Sequence, residues 1–295
     1  MGKSRKHEVP LELLSHYGQR DEYRRLDSGP GALERVRTQD IIRRHAPAPP
    51  ATVLDVGGGP GAHACWLARE GYRVHLLDPV PLHVEQAQQA SAAQPEFPLA
   101  SARVGDARAL PYRDAVAEVA LLLGPLYHLP EREARIRALR EAWRALKPGG
   151  MLLVAAISRF ASILDGLARG LFADSQFARI VERDLADGQH RNPTDHPEYF
   201  TTAFFHRVEE LEAEVREAGF EFEATLAVEG PAWMLQDFQA QWEDVARRER
   251  LLWAARMLED EPTIVGASAH FLALARRSAG GRPEAWAGGP PRENG

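Results

Sequence analysis

From residue 52 onward, short apolar runs alternate with stretches whose apolar positions recur at helical spacing. Val53-Leu54-Asp55-Val56, Tyr72 to Leu77, Ala102 to Val104, Glu118 to Leu123 and Met151 to Ile157 read as strands. The most apolar of them have too few polar positions to face water on either side. Between them, Ala62 to Arg69 and Pro79 to Ala93 read as helices. Glu131 to Leu146 is an amphipathic helix with Ile136, Leu139, Trp143 and Leu146 at three- and four-residue steps, stopped by Lys147-Pro148-Gly149-Gly150. Val208 to Ala218 and Phe238 to Leu258 are expected as further helices, and Phe220 to Val228 and His270 to Ala275 as further strands. Strand and helix in alternation predict an α/β fold with a mostly parallel sheet and helices on both faces.

Three segments fall outside this frame. Residues 1–50 read as an N-terminal helical cap, broken at Asp27-Ser28-Gly29-Pro30-Gly31 and ended by the linker Ala46-Pro47-Ala48-Pro49-Pro50. Within a main domain spanning 51–277, residues 158–205 read as an insertion: helices Ala161 to Phe172 and Ser175 to Ala186, then the irregular stretch QHRNPTDHPEYFTTAFF. A long irregular segment in a compact α/β domain points to a substrate lid. Residues 278–295, rich in glycine and proline, are expected to be disordered.

Composition narrows the functional classes. The chain has 295 residues, of which 44% are hydrophobic and 26% charged, with a net charge of −6. Such a balance lacks the basic excess that binding to a nucleic-acid backbone requires. One cysteine, Cys65, excludes an internal disulfide and leaves no cysteine-based metal pattern. Asp195, His196 and Glu198 lack a spacing that fixes metal ligands, so no metal is expected. Neither a signal peptide nor a long apolar span is present, and the expectation is a cytoplasmic protein, monomer or homodimer, with no membrane partner.

The candidate chemistry centres on Thr52 to Gly61, TVLDVGGGPG, where a buried strand breaks into glycines. Gly57, Gly59 and Gly61 permit a sharp turn and close approach of a ligand to the backbone, and the helix after Pro60 points free amides at it. A tight turn with no ligand is the simpler alternative. What favours a ligand is the set of strand ends: Asp55 and the glycines after the first strand, Asp78 after the second, Asp106 after the third, and Gly124 to His128 after the fourth. Parallel strands bring such ends to one crevice, where Asp78 is placed to accept hydrogen bonds from ribose hydroxyls.

Taken in order, Asp55 to Gly61, Asp78, Gly105-Asp106-Ala107 and Leu146 to Gly150 resemble the class I S-adenosylmethionine-dependent methyltransferases over about residues 52–157. Gly124 to Leu129 and Ala155 to Phe160 further resemble bacterial small-molecule methyltransferases. The resemblance implies a Rossmann-like seven-stranded sheet whose last strand is antiparallel, with S-adenosyl-L-methionine as cofactor. It implies that Gly57, Gly59 and Gly61 line the methionine and ribose, with Asp55 at the amino group and Asp78, followed by Pro79, at the ribose. Asp106 and Ala107 would meet the adenine, and Leu123 and Gly124 the methionine moiety. An N-terminal helix would close over the cofactor, with Tyr17, Arg24 and Arg25 as contacts; the alternative for the arginines is a solvated helix face.

Methyl transfer needs a nucleophile held in line and, where that nucleophile carries a proton, a base. His128 is the candidate base, read equally well as a helix-start histidine bonded to backbone; Tyr127 lines the same pocket or simply packs. Arg159 is expected to bind an acidic substrate group or to pair with a lid carboxylate. His190, His196, Tyr199, Phe200, His206 and Trp233 are candidates for the substrate wall. The expected reaction is methylation of an oxygen or nitrogen of a small molecule, such as a secondary metabolite. The alternatives are an NAD(P)-dependent oxidoreductase, disfavoured by the G-G-G-P-G spacing, and a non-catalytic cofactor-binding scaffold of the same fold. A nucleic-acid methyltransferase is disfavoured by the acidic net charge and by Gly124-Pro125-Leu126-Tyr127 in place of an acidic or amide residue with paired prolines.

Overall fold

The computed structural model describes residues 25–194 and 196–280. Helix α1 (Gly29–His45) leads through the proline linker into β1 (Thr52–Val56), α2 (Ala62–Arg69), β2 (Arg73–Asp78), α3 (Pro81–Ala92), β3 (Ser101–Val104) and β4 (Ala117–Leu122). Then come α4 (Arg132–Ala145), β5 (Leu146–Ser158), α5 (Ala161–Arg169), α6 (Ser175–Asp187), and the short strands β6 (Gln189–His190) and β7 (Ala203–His206). Helix α7 (Val208–Glu217), β8 (Phe220–Ala227), α8 (Phe238–Glu243), α9 (Val245–Met257) and β9 (His270–Arg277) complete the described chain.

Strands β3, β2, β1, β4 and β5 lie side by side in that order and run parallel. On the far edge of β5 the order continues with β9 and then β8, each pair antiparallel, so β8 again runs with β5. These seven strands are the ones expected from the sequence. Among the described residues the sheet has nine, because β6 and β7 form an antiparallel pair of which β7 joins β5 at Ile157 and Ser158. That segment was expected as an irregular loop. Strands this short have too few residues to show an alternating pattern.

Burial on both faces explains the apolar runs. Along β1, β4, β5 and β9, successive residues sort into two cores: Leu54, Ala120, Leu122, Leu152, Val154 and Phe271 on one face, Val53, Val119, Leu121, Leu153 and Leu272 on the other. The first core is closed by Leu139 and Trp143 of α4 and Leu211 and Val215 of α7, the second by Ile41, Ile42, Leu67 and Val84 of α1, α2 and α3. The amphipathic reading of residues 131–146 thus corresponds to α4, whose stripe faces the sheet. The single helix expected over Phe238 to Leu258 is instead two, interrupted at Asp244, whose side chain accepts a hydrogen bond from the Arg247 amide and caps α9. Among the described residues no helix is long and apolar enough to cross a membrane.

Two buried charge clusters fix the elements that border the site. Arg37, 2% exposed, reaches the Val228 carbonyl (3.2 Å) and Glu259, which also holds Arg44 at 2.7 Å; together they clamp α1 to the end of β8. Arg135 pairs with Glu214 (2.7 Å) and donates to the Leu129 and Pro130 carbonyls (3.0 and 2.7 Å), which ties down the segment following β4.

Candidate active site

The crevice opens between the carboxyl ends of β1 and β4, where connections leave the sheet in opposite directions. The glycine turn after β1 packs directly on the turn after β4. A Cβ on Gly57, whose φ is +72°, would lie 2.7 Å from the Pro125 ring, and one on Gly124 would lie 3.3 Å from the Gly57 carbonyl oxygen. Gly61, at φ +92°, sits against Ala87 of α3. Gly59 alone of these faces open space, with nothing within 4 Å of a Cβ position. Gly57 is therefore required by packing between turns, Gly61 by packing against a helix, and Gly59 borders the opening they surround. Replacing Gly57 with Ala, which meets both an unfavourable φ and Pro125, is expected to lower stability by about 1–3 kcal/mol in chemical denaturation.

The turns enclose a cavity of about 510 Å³, within the range of small-molecule sites. Asp55, Gly57, Gly59, Gly61, Asp78, Pro79, Asp106, Ala107, Leu123, Gly124, Tyr127, His128 and Arg25 all line it. Tyr17 and Arg24 lie outside the described residues.

The three carboxylates at the strand ends, Asp55, Asp78 and Asp106, are held differently. Asp78 is fully engaged: one oxygen accepts from the Gly59 amide (2.9 Å), the other from the Val80 amide (2.9 Å) and faces His83 Nδ1 (3.1 Å). It thereby braces the glycine turn as well as lining the cavity. Asp106 is gripped by Arg108, through its backbone amide (2.8 Å) and its guanidinium (2.5 Å). Asp55 is 1% exposed and neither of its oxygens has a hydrogen-bond partner. Burial, then the nearby Asp78, pushes its carboxyl up to about 7. His83, Arg108 and Glu34 were not anticipated as lining residues; a helix position five residues beyond Asp78 carries no sequence signal of its own.

A second cavity, of about 250 Å³, adjoins the first, and Arg25 and Tyr127 line both. Tyr199, Phe200 and Trp233 line it, with Phe177, Phe205 and Ile157. His190 lines it too, but its ring nitrogens contact Asp184 (2.9 Å) and the Tyr199 carbonyl (2.8 Å), so it braces the wall. Phe200 has φ +68°, backbone that favours glycine, and its carbonyl accepts from Asn192 (2.9 Å). His196 is on the exposed side beside Glu198 (3.8 Å), and Asp195 lies outside the described residues.

Arg159 and His206 are placed elsewhere, which corrects their expected role as substrate contacts. Arg159, 2% exposed, donates to the Phe205 carbonyl (2.8 Å) and pairs with Glu210 (2.7 Å). This is the carboxylate-paired alternative. His206 is fully buried against Glu214 (3.3 Å), and burial holds its pKa below the usual imidazole value. Arg159 follows the end of β5 and His206 ends β7, but β7 continues past β4 beside β5 and turns them into the joint with α7.

Between the two cavities stands a cluster of charges. Arg25 forms two hydrogen bonds to Glu34 (2.5 and 2.9 Å), Glu34 lies 4.0 Å from His270 Nδ1, and that nitrogen lies 2.7 Å from Glu229. Burial would raise the Glu34 carboxyl, but Arg25 and His270 outweigh it and hold it near 2. His63, also on the first cavity, is driven down to about 4 by burial, against the pull of Glu34. Glu34, Glu229 and His270 approach one another closely enough for a divalent cation, but the Arg25 guanidinium already neutralises Glu34.

Known proteins share parts of this sequence and fold. A methyltransferase domain model matches residues 54–154. A methyltransferase of Streptomyces halstedii, GfsG, is 32% identical over 143 residues, 48% of this chain and 50% of that protein. The ubiquinone/menaquinone biosynthesis C-methyltransferase UbiE of a Ruegeria species is 32% identical over 139 residues, 46% of this chain and 54% of that protein. The chain thus spans about half the length of these curated relatives. Among solved structures, a SAM-dependent methyltransferase from Methanosarcina mazei superposes with a TM-score of 0.54 at 18% identity, covering 81% of this chain and 98% of that one. S-adenosylmethionine is the cofactor of this domain family, and the residues fit it: a buried, unpaired Asp55 suits a cationic amino group, and the gap at Gly59 admits a ligand against backbone. Residues 54–154 therefore match a methyltransferase domain, and the chain shares the fold of S-adenosylmethionine-dependent methyltransferases.

Proposed function

We propose that the protein transfers the methyl group of S-adenosylmethionine to an oxygen or nitrogen of a small molecule seated in the second cavity. The carrying observation is the pair of adjoining cavities at the carboxyl end of the sheet, with Tyr127 and Arg25 at their boundary. When bound, the cofactor supplies an electrophilic methyl carbon. The chain's own residues bind and orient: Asp55 faces the amino group, Asp78 with Pro79 the ribose, Asp106 and Ala107 the adenine, and Leu123 and Gly124 the methionine moiety. His128, whose ring lies 4.7 Å from Tyr127 and 6.0 Å from Phe200, borders the cofactor side of the boundary. Tyr199, Phe200 and Trp233 form an apolar wall that excludes water and suits an acceptor with substantial hydrocarbon surface.

Residues 158–205 supply most of that wall, which makes them the acceptor-selecting insertion of the domain. A net charge of −6 favours a small acceptor over a nucleic acid. Carbon methylation is a second reading, because UbiE, named as a C-methyltransferase, is among the matched relatives.

Calorimetry with S-adenosylhomocysteine and with NAD, followed by transfer of labelled methyl to a panel of phenols, amines and active-methylene compounds, tests the assignment. Binding of the first ligand and a labelled product are expected; NAD binding without S-adenosylhomocysteine binding would reverse it. Trp233→Ala is expected to raise the acceptor KM about tenfold with cofactor affinity unchanged, read from initial rates and calorimetry.

A further inference from the structure

Strand β9 runs against β5, so its first residue, His270, lies at the carboxyl end of the parallel strands, paired with Ile157. Strand β8 runs with β5, and the chain leaving it delivers Glu229 to the same end. The two meet there. Glu229 is 2% exposed and fully used: one oxygen accepts from Ser268 Oγ (2.8 Å) and the His270 amide (3.0 Å), the other faces His270 Nδ1 (2.7 Å). Ser268 Oγ in turn accepts from the Glu229 and Gly230 amides (3.0 Å each), so the carboxylate cannot swing. With Nδ1 committed, Nε2 is the remaining polar atom of a ring that lines the second cavity.

We propose that His270, oriented by Glu229, is the group that takes the proton from the methyl acceptor, which is therefore a largely apolar small molecule with an O–H or N–H. This rests on the second cavity being the acceptor pocket. As the acceptor's lone pair forms the bond to the methyl carbon, the electron pair of the broken C–S bond stays on sulfur. The acceptor proton passes to Nε2 and leaves to solvent after release. The Nδ1–H to Glu229 hydrogen bond fixes the tautomer with Nε2 unprotonated and stabilises the imidazolium that forms.

The groups facing His270 support this basicity. Glu229 comes from the end of β8, Glu34 from α1 with Arg25 behind it, and the Tyr127 ring lies 6.4 Å away; Asp165 and Glu198 line the same cavity. Burial lowers the imidazole pKa, but Glu34 and Glu229 outweigh burial and Arg25, and hold it above the usual value. Activity is expected to rise with pH through an inflection above that value. His128 lines the cofactor cavity, so the two histidines are separable by mutation.

Histidine-labelled full-length protein with bound S-adenosylhomocysteine tests the tautomer by long-range nitrogen–proton NMR, with His270→Gln identifying the resonance. Nδ1 protonation in the neutral ring is expected, with a pKa that falls in Glu229→Gln. Diethylpyrocarbonate should modify Nε2, detected by mass spectrometry. A neutral ring carrying its proton on Nε2, or one inert to the reagent, overturns the proposal whether or not an acceptor is known. On the acceptor found in the labelled-methyl panel, His270→Gln should lower kcat about 100-fold, abolish the acidic limb of the pH profile and leave S-adenosylhomocysteine affinity within about twofold. A kcat within about threefold of wild type refutes the role of His270 while leaving methyl transfer intact; failure to bind S-adenosylhomocysteine refutes methyl transfer itself.

Discussion

Replacing Asp78 with Ala is expected to weaken binding of S-adenosylhomocysteine by about 2–4 kcal/mol, roughly 30- to 1000-fold, in a calorimetric titration. Two losses add. The carboxylate is the expected acceptor for the ribose hydroxyls, and in this structure it also accepts from the Gly59 and Val80 amides and orients His83. Its removal strands two backbone donors and loosens the turn that forms the cavity floor. Asp78→Asn, which keeps an acceptor oxygen and the shape, should recover part of the loss. Wild-type affinity in the alanine variant would show that neither the turn nor the ribose depends on this side chain.

Asp55 should make cofactor binding pH-dependent. Its carboxyl, pushed to about 7 by burial and by Asp78, is largely protonated in the ligand-free protein below that value. A cationic amino group favours the ionised form. Affinity for S-adenosylhomocysteine should therefore rise with pH up to about 7, approaching tenfold per unit on the acid side, and level off above. Near pH 6, binding should release close to one proton, visible as a dependence of the apparent enthalpy on buffer ionisation heat. Asp55→Asn should flatten the profile.

The same shift has a stability consequence of defined sign. The folded carboxyl, near 7, sits above its ordinary value of 3.8. Below both values the group is protonated in either state and contributes nothing. As pH rises between them the unfolded chain ionises and the folded one does not, so stability falls, and the full penalty, at most about 4 kcal/mol, stands above the folded value. Asp55→Asn should accordingly raise the melting temperature of the ligand-free protein at pH 8 while weakening cofactor binding. A lowered melting temperature would mean that the carboxylate is stabilised by contacts other than the ligand.

Much of this site was legible because it is built from strand ends. A parallel strand flanked by helices must be apolar throughout, and where it stops, a glycine or an aspartate stands out against that background. Asp55, Asp78, Asp106 and the glycine turn are visible for this reason, and all line one cavity. The lining of the second cavity was legible in composition but not residue by residue. Tyr199, Phe200 and Trp233 line the second cavity, whereas Arg159 and His206, equally polar and equally near a strand end, are consumed by Glu210 and Glu214. Nothing local separates the two outcomes. The partners lie on α7, and which side of β5 the segment 203–206 joins decides where these side chains point.

The sequence by itself determined the α/β class, the order of the seven main strands along the chain, the glycine turn and the carboxylates at the strand ends, since each follows from local periodicity, turn chemistry or a motif of contiguous residues. The antiparallel direction of the last strand was expected from the family resemblance, but tertiary structure alone decided that His270 at its start and Glu229 after β8 meet beside the second cavity. Strand order and direction are settled by long-range packing of faces that look alike in sequence, so residues far apart along the chain converge on one cavity without any mark in the sequence around them.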